Sequence, residues 1–434
     1  MISYYLRNAT LATYGDLLFA GFGSTNGSTG YIYKSTNGGE SWTLFKTLSS
    51  IVGNAGVSVT VSNTYVFAGY ISSANATTVV RWTHGGGSQA SVTPNPDPSH
   101  PDEFVHLADD GHCVYVTWSR SASSGDWDVM FARLTTGLVV EQTGRVAGGF
   151  LDYSWYFRPR IAWVSSGSST ILLVTSENSD DASIYYWRST DEGNSWTDRA
   201  QLGSSGNYAD ISAFFWDYVT IAWHTAGSSK FQYKYSTNGG TTWSSTGGSE
   251  YDSYSPMYPS VCQPNQPGPG RFVFEKGGGD KRVRYADGTS VAIVSDAAAS
   301  NPTMPAVTTC DGGVLWCTSS GVYFDAEDWE PSSVDEANAI SAVRQTSLLG
   351  SFPEPFSMRA CVKLALARDS RVVLHFYDSR GNELARIQNR LCAGRHNVVW
   401  NACARDGTTL PAGIYFCRME AGDYVGSIRM SKTR

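Results

Sequence analysis

Apolar and polar positions alternate through most of the chain. Val57-Ser58-Val59-Thr60-Val61 is followed by Tyr65-Val66-Phe67-Ala68-Gly69-Tyr70, and Cys113-Val114-Tyr115-Val116-Thr117-Trp118 by Asp128-Val129-Met130-Phe131-Ala132. A period of two marks strands with one covered face. The runs group into units starting near Thr10, Gly56, Glu103, Arg158, Ala209, Tyr258 and Thr303, with gaps of 45 to 55 residues. That is the length of four short strands and their turns. The period is lost over 331–351, which reads as a linker, and a short helix over 334–344 is the one element suggested there. A second set of short strands with frequent turn signals fills 352–434, the pattern of a small β-sandwich.

One turn repeats almost verbatim. Ser35-Thr36-Asn37-Gly38-Gly39-Glu40-Ser41-Trp42 returns as Ser189 to Trp196, STDEGNSW, and as Ser236 to Trp243, STNGGTTW. Asp or Asn two residues after the Ser bonds its own backbone, and Gly two further on supplies a positive φ. The hydroxyl six on ties the turn ends, and the Trp seven on is large enough to fill a gap between sheets. The octet resembles the Asp-box of bacterial-neuraminidase-type repeats. Its constrained positions here are Ser35, Asn37, Gly39, Trp42, Ser189, Asp191, Gly193, Trp196, Ser236, Asn238, Gly240 and Trp243. The resemblance implies an all-β fold, a sialidase-like β-propeller over 1–330, with boxes joining third and fourth strands. Seven blades are favoured and six are the alternative. The three Trp rings are expected to be largely buried between sheets.

The tail carries Pro353-Glu354-Pro355-Phe356, Tyr377-Asp378 with Gly381, Gly394 with His396, Val398 and Trp400, Asp406-Gly407, and Pro411-Ala412-Gly413-Ile414-Tyr415-Phe416. This order is similar to the C-terminal sorting domain of type IX secretion cargo and to the immunoglobulin-like domain of flagellar hook-capping proteins. The resemblance implies an Ig-like β-sandwich over 352–434 and a partner in the secretion machinery. It also implies a secreted or outer-surface location. The start of the chain shows no basic-then-apolar leader, so that location carries the expectation of a signal upstream of Met1.

Composition narrows the function classes. Charged residues make up 16% of the chain, aromatics 13%, and the net charge is -7, which argues against nucleic acid as a partner. No apolar run is long enough for a spanning helix. The eight cysteines form no C-x-x-C pair, so neither a metal site nor any cofactor is expected; disulfides and small buried thiols are both open.

Chemistry is expected on the loops between units and on those between second and third strands, which the resemblance gathers on one face; rings sit beside carboxylates there, a combination suited to sugars. The binding candidates are Tyr153, Trp155, Arg158, Arg120, Asp126, Glu177, Tyr251 and Tyr254. A sialidase would need three arginines on the sugar carboxylate, a Tyr nucleophile with its Glu, and an Asp acid–base. Arg120 and Arg158 are the two arginines that qualify. No third is recognisable, so no catalytic residue is assigned. The expected function is non-catalytic recognition of a glycan or protein ligand. An exo-sialidase-type glycoside hydrolase is the alternative, and a structural surface scaffold the third reading.

Overall fold

The computed structural model describes residues 10–433 apart from short stretches, the longest at 151–157, 251–255, 277–282, 295–302, 308–313 and 326–345. The helix suggested over 334–344 lies outside the described residues. Contacts divide the chain into two compact units, Met1–Pro331 and Ser332–Arg434.

In the first unit the described strands form six four-stranded sheets and one of three strands. Each is an antiparallel meander taken in sequence order. The first sheet shows the pattern: Thr10–Tyr14, Leu17–Gly23, Thr29–Ser35 and Thr43–Ser49. Successive sheets pack face to face. Val57, Val59 and Val66 of the second sheet share a core with Phe19 and Ile32 of the first, and Val105 and Leu107 of the third share one with Phe67 and Val79 of the second. Ala306 and Leu315 of the seventh sheet cluster with Ala20 of the first. The stack therefore closes on itself, and a closed ring of small meander sheets is the arrangement of a β-propeller.

Closure leaves one problem. The first strand of every sheet lies at a sheet edge, and its outward N–H groups need acceptors. Side chains of the preceding sheet supply them. Thr10 Oγ1 accepts from Val59 N (2.7 Å), Ser58 Oγ from Leu107 N (3.0 Å) and His106 Nδ1 from Ile161 N (3.3 Å). Asp210 Oδ2 accepts from Val261 N and Ser260 Oγ, both at 3.0 Å. Between His106 and Asp210 the equivalent residue is Arg160, which has no acceptor to offer. It meets the Asp210 carboxylate instead, Nε to Oδ1 at 3.6 Å. A polar seam thus runs through successive first strands.

The repeated octets sit between third and fourth strands, as the resemblance implied. Ser189 Oγ accepts from Gly193 N (2.8 Å) and donates to Asp191 Oδ1 (2.7 Å), and Asp191 Oδ1 accepts from Ser195 N (2.9 Å). The turns at Ser35 and Ser236 make the same bonds. The tryptophans depart from expectation: all three are half-buried. Each ring does lie between sheets, packed against a cluster shared by its own sheet and the preceding one. Trp196 meets Phe131 edge-on (5.2 Å, 74°) and Trp243 meets Tyr186 (5.2 Å, 73°). Trp42 packs against the Ala20–Ala306–Leu315 cluster that joins first and seventh sheets.

The second unit packs a three-stranded sheet (Ser347–Phe352, Ala360–Leu366, Gly394–Trp400) on a four-stranded one (Glu383–Leu391, Ser370–Asp378, Gly413–Ala421, Tyr424–Lys432). Val362, Leu364, Val398 and Trp400 share one core with Leu374, Phe376, Tyr415 and Met430, and Trp400 stacks on Phe376 at 4.1 Å. The tail motifs are structural pins. Phe356 is fully buried, and its N–H donates to Ser431 O (2.8 Å). Asp378 Oδ1 accepts from Arg380 N and Asn382 N (2.8 and 2.9 Å), closing the turn that Gly381 completes at φ 85°. Tyr415 Oη donates to Pro411 O (2.6 Å). The expected linker over 331–351 is shorter on its C-terminal side, because Ser347 to Ser351 pair with Ala365 to Val362.

Candidate functional site

The seam marks one level of the ring, and the first strands bulge just before it. Phe104 and Val105 oppose the single residue Trp118, and Tyr208 and Ala209 oppose Trp223. Tyr258-Pro259 and Met304-Pro305 occupy the same place in the sixth and seventh sheets. A bulge puts two residues against one and re-aims a side chain. Phe104 and Tyr208 take it in the left-handed region (φ 51° and 53°), unusual for a ring-bearing residue. The matching position in the fourth sheet is Arg158. Its guanidinium lies 4.3 Å from the Tyr208 ring and 5.4 Å from the Phe104 ring, so rings from the third and fifth sheets flank it. A cation held over aromatic faces gains about 0.5–2 kcal/mol per ring.

Buried polar groups stand across from these bulges. Two residues beyond the partners of His106, Arg160, Asp210 and Ser260, the second strands place Ser119, Glu177, His224 and Glu275, at 0%, 3%, 8% and 7% exposure. Glu177 Oε2 accepts from the bulged Tyr208 N, so the fourth sheet fixes the backbone kink of the fifth. His224 Nδ1 donates to Asn207 Oδ1 (2.6 Å), and its ring tilts against Tyr208 at 6.2 Å. That leaves Nε2 as the acceptor; it is buried with no hydrogen-bond partner among the described residues. Burial holds the His224 imidazole below its usual range, so it is neutral near pH 7. Burial also raises the Glu103 carboxyl. His106 is held well below 6.5, first by burial and then by the nearby Arg160, which agrees with its role as an acceptor.

The arrangement can present rings, a fixed cation and neutral or anionic acceptors together. It brings Arg158 and Glu177 into one neighbourhood. Arg120 is placed differently from expectation. Its Nε and Nη2 fork onto Asp102 at 2.7 and 3.1 Å, Nη2 also donates to Asn95 O, and Asp102 Oδ2 accepts from Thr77 N at 2.8 Å. With Arg120 and Asp102 both buried, this fork joins second and third sheets. Tyr153, Trp155, Asp126, Tyr251 and Tyr254 lie outside the described residues. Phe104, Asn207 and Tyr208 escaped the sequence reading. The signal available was an aromatic residue at matching places in the third, fifth and sixth units, Phe104, Tyr208 and Tyr258, each opposite a Trp or Phe. Among the described residues no group of three or more His, Cys, Asp or Glu is set to hold a metal.

No family model matches the chain, and neither does any curated protein. Solved structures do. One is PorZ, a bacterial surface component of the type IX secretion system of Porphyromonas gingivalis, 13% identical with TM-score 0.46 over 100% of this chain. This chain spans 59% of PorZ's length. The β-propeller domain of the Trilobed protease from Pyrococcus furiosus is 8% identical, with TM-score 0.47 over 78% of this chain and 100% of that one. The microbial sialidase Hz136 is 12% identical, with TM-score 0.43 over 63% and 65%. At these values the likenesses carry no argument about activity.

Proposed function

We propose that the first unit is a seven-bladed propeller of Asp-box type that binds a glycan or protein ligand without turning it over. The observation that carries this reading is the cluster at the bulged first-strand ends: Arg158 between Phe104 and Tyr208, with Glu177 and His224 beside it. Rings flanked by buried hydrogen-bonding groups suit the apolar faces and hydroxyls of a sugar. Against the hydrolase, Arg120 is committed to Asp102, so one of the two candidate carboxylate-binding arginines serves the scaffold. We further propose a propeller over 1–330, a linker from 331 that ends before the strand at Ser347, and an Ig-like sorting domain running on to 434, with the protein at the cell surface or outside the cell.

A glycan array probed with the full chain tests the ligand. Selective binding is expected, weakened at least about tenfold by Tyr208→Ala, which corresponds to the ~1.4 kcal/mol of one lost stacking contact. Binding unchanged in Tyr208→Ala and in Arg158→Ala would remove this site from the reading. A fluorogenic sialoside tests catalysis. Turnover by the wild type that disappears in Arg158→Ala would establish the hydrolase instead.

A further inference from the structure

The two units carry opposite charge. Residues 1–331 hold 18 Lys and Arg against 30 Asp and Glu, a net of -12, whereas residues 332–434 hold 14 against 9, a net of +5. Three of those fourteen cations lie together on one surface. In the four-stranded sheet of the second unit, Val372, Leu374, Phe376, Tyr415, Cys417 and Met419 face the core. The alternate residues face outward. One row across the strands reads Arg386–His375–Arg418–Ser427 and the next Tyr377–Phe416–Arg429. Arg386, Arg418 and Arg429 are all exposed.

This face is also apolar where a solvated sheet would be polar. Ile414, Phe416 and Val425 are 40%, 37% and 56% exposed. Arginine and aromatic side chains beside exposed aliphatics make the composition of protein-binding hot spots. The face has two carboxylates of its own. Glu420 is taken by Arg418 (3.2 Å), and Glu383 by His375 (3.0 Å). Arg429 has no ion-pair partner among the described residues, and Arg386 meets only Gln388, at 3.5 Å.

We propose that this outward face docks on the acidic 1–331 unit of a second copy of the chain. Charge complementarity selects that occupant, because the chain carries the complementary acidic unit within itself. The contact joins two different surfaces, so each docked copy still presents a free face of each kind. Such head-to-tail contacts do not stop at a dimer unless the rotation closes a ring. The face is small. Four strands spaced about 4.8 Å apart and some seven residues long cover roughly 500 Å². A standard interface buries about 800 Å² per partner, so the association is weak and strongly salt-dependent.

Sedimentation velocity of the full chain at about 100 μM tests this, in about 20 mM and about 0.5 M salt. The expected result is a weight-average mass above two chains at low salt, rising with concentration, and a single-chain mass at high salt. The triple substitution Arg386→Glu, Arg418→Glu, Arg429→Glu is expected to be monomeric at both salts. Its side chains point away from the core, and far-UV circular dichroism checks that it folds. Arg368→Glu with Arg380→Glu changes exposed charges of the same unit off this face and should associate like the wild type. A wild type that stays monomeric at low salt overturns the proposal. So does association that persists at high salt, or in the triple variant, or that is lost equally in the control.

Discussion

The boxed turns and the first-strand seam hold the same ring together by opposite means. In the turns, one sequence makes one set of bonds three times over. Ser hydroxyl to Gly N–H measures 2.9, 2.8 and 2.9 Å in the first, fourth and fifth sheets. In the seam, the same task of covering the next first strand falls to Thr10, Ser58, His106 and Asp210, four different residue types. The turn is local, so its partners lie within seven residues and its backbone dihedrals dictate the residue at each place. The seam bonds span about 50 residues, and the receiving N–H asks only for an acceptor at the right height. Local geometry therefore writes a motif into the sequence, whereas long-range satisfaction of backbone groups leaves no consensus.

The sharpest way to break this contrast is at Gly193. It sits at φ 89°, and a Cβ there would run into the Phe131 ring of the preceding sheet. Gly193→Ala should cost about 4 kcal/mol, combining left-handed strain with overpacking. Urea unfolding measures it, and a loss below about 1 kcal/mol would show that the turn tolerates other residues.

The seam should respond to chemistry more than to identity. Asp210→Ala removes two hydrogen bonds and the carboxylate that Arg160 meets, so about 3 kcal/mol is expected. Asp210→Asn keeps an acceptor and should recover about half of that. Equal losses in the two variants would mean that shape, not acceptor capacity, is what the seam requires.

The smallest effect is a pH dependence. His106 is buried and neutral, with its proton affinity well below the usual 6.5. As pH falls below that value, the unfolded chain takes up a proton that the folded chain refuses. Stability is therefore full above about pH 6.5 and falls as pH drops, by at most about 1.4 kcal/mol per pH unit. His106→Gln should flatten the difference between pH 7 and pH 5 in thermal melts. A variant that loses stability with acid as steeply as the wild type would assign the effect to other groups.

The tail shows both kinds of legibility at once. Asp378 and Gly381 were readable as a turn because both act within their own few residues. Ser347 to Ser351 read as linker in the sequence because Leu348-Leu349-Gly350 lacks alternation, and the strand Ser347–Phe352 is fixed by its pairing to Ala360–Leu366. The candidate site divides in the same way. Arg158 is visible in the sequence as a polar residue before a first strand, and Glu177 as one at the end of a second strand. That Arg120 is spoken for by Asp102 was not visible, since 18 residues separate them.

The sequence by itself determined the strand period, the repeat length and the three boxed turns, because each is set by interactions within a few residues. Only the tertiary structure decided which arginine is consumed by the scaffold, which aromatic residues bulge, and which side chains accept the first-strand N–H groups. Those outcomes depend on groups about 50 residues apart meeting across packed sheets, and a distant partner constrains the chemistry at a position without fixing the residue that supplies it.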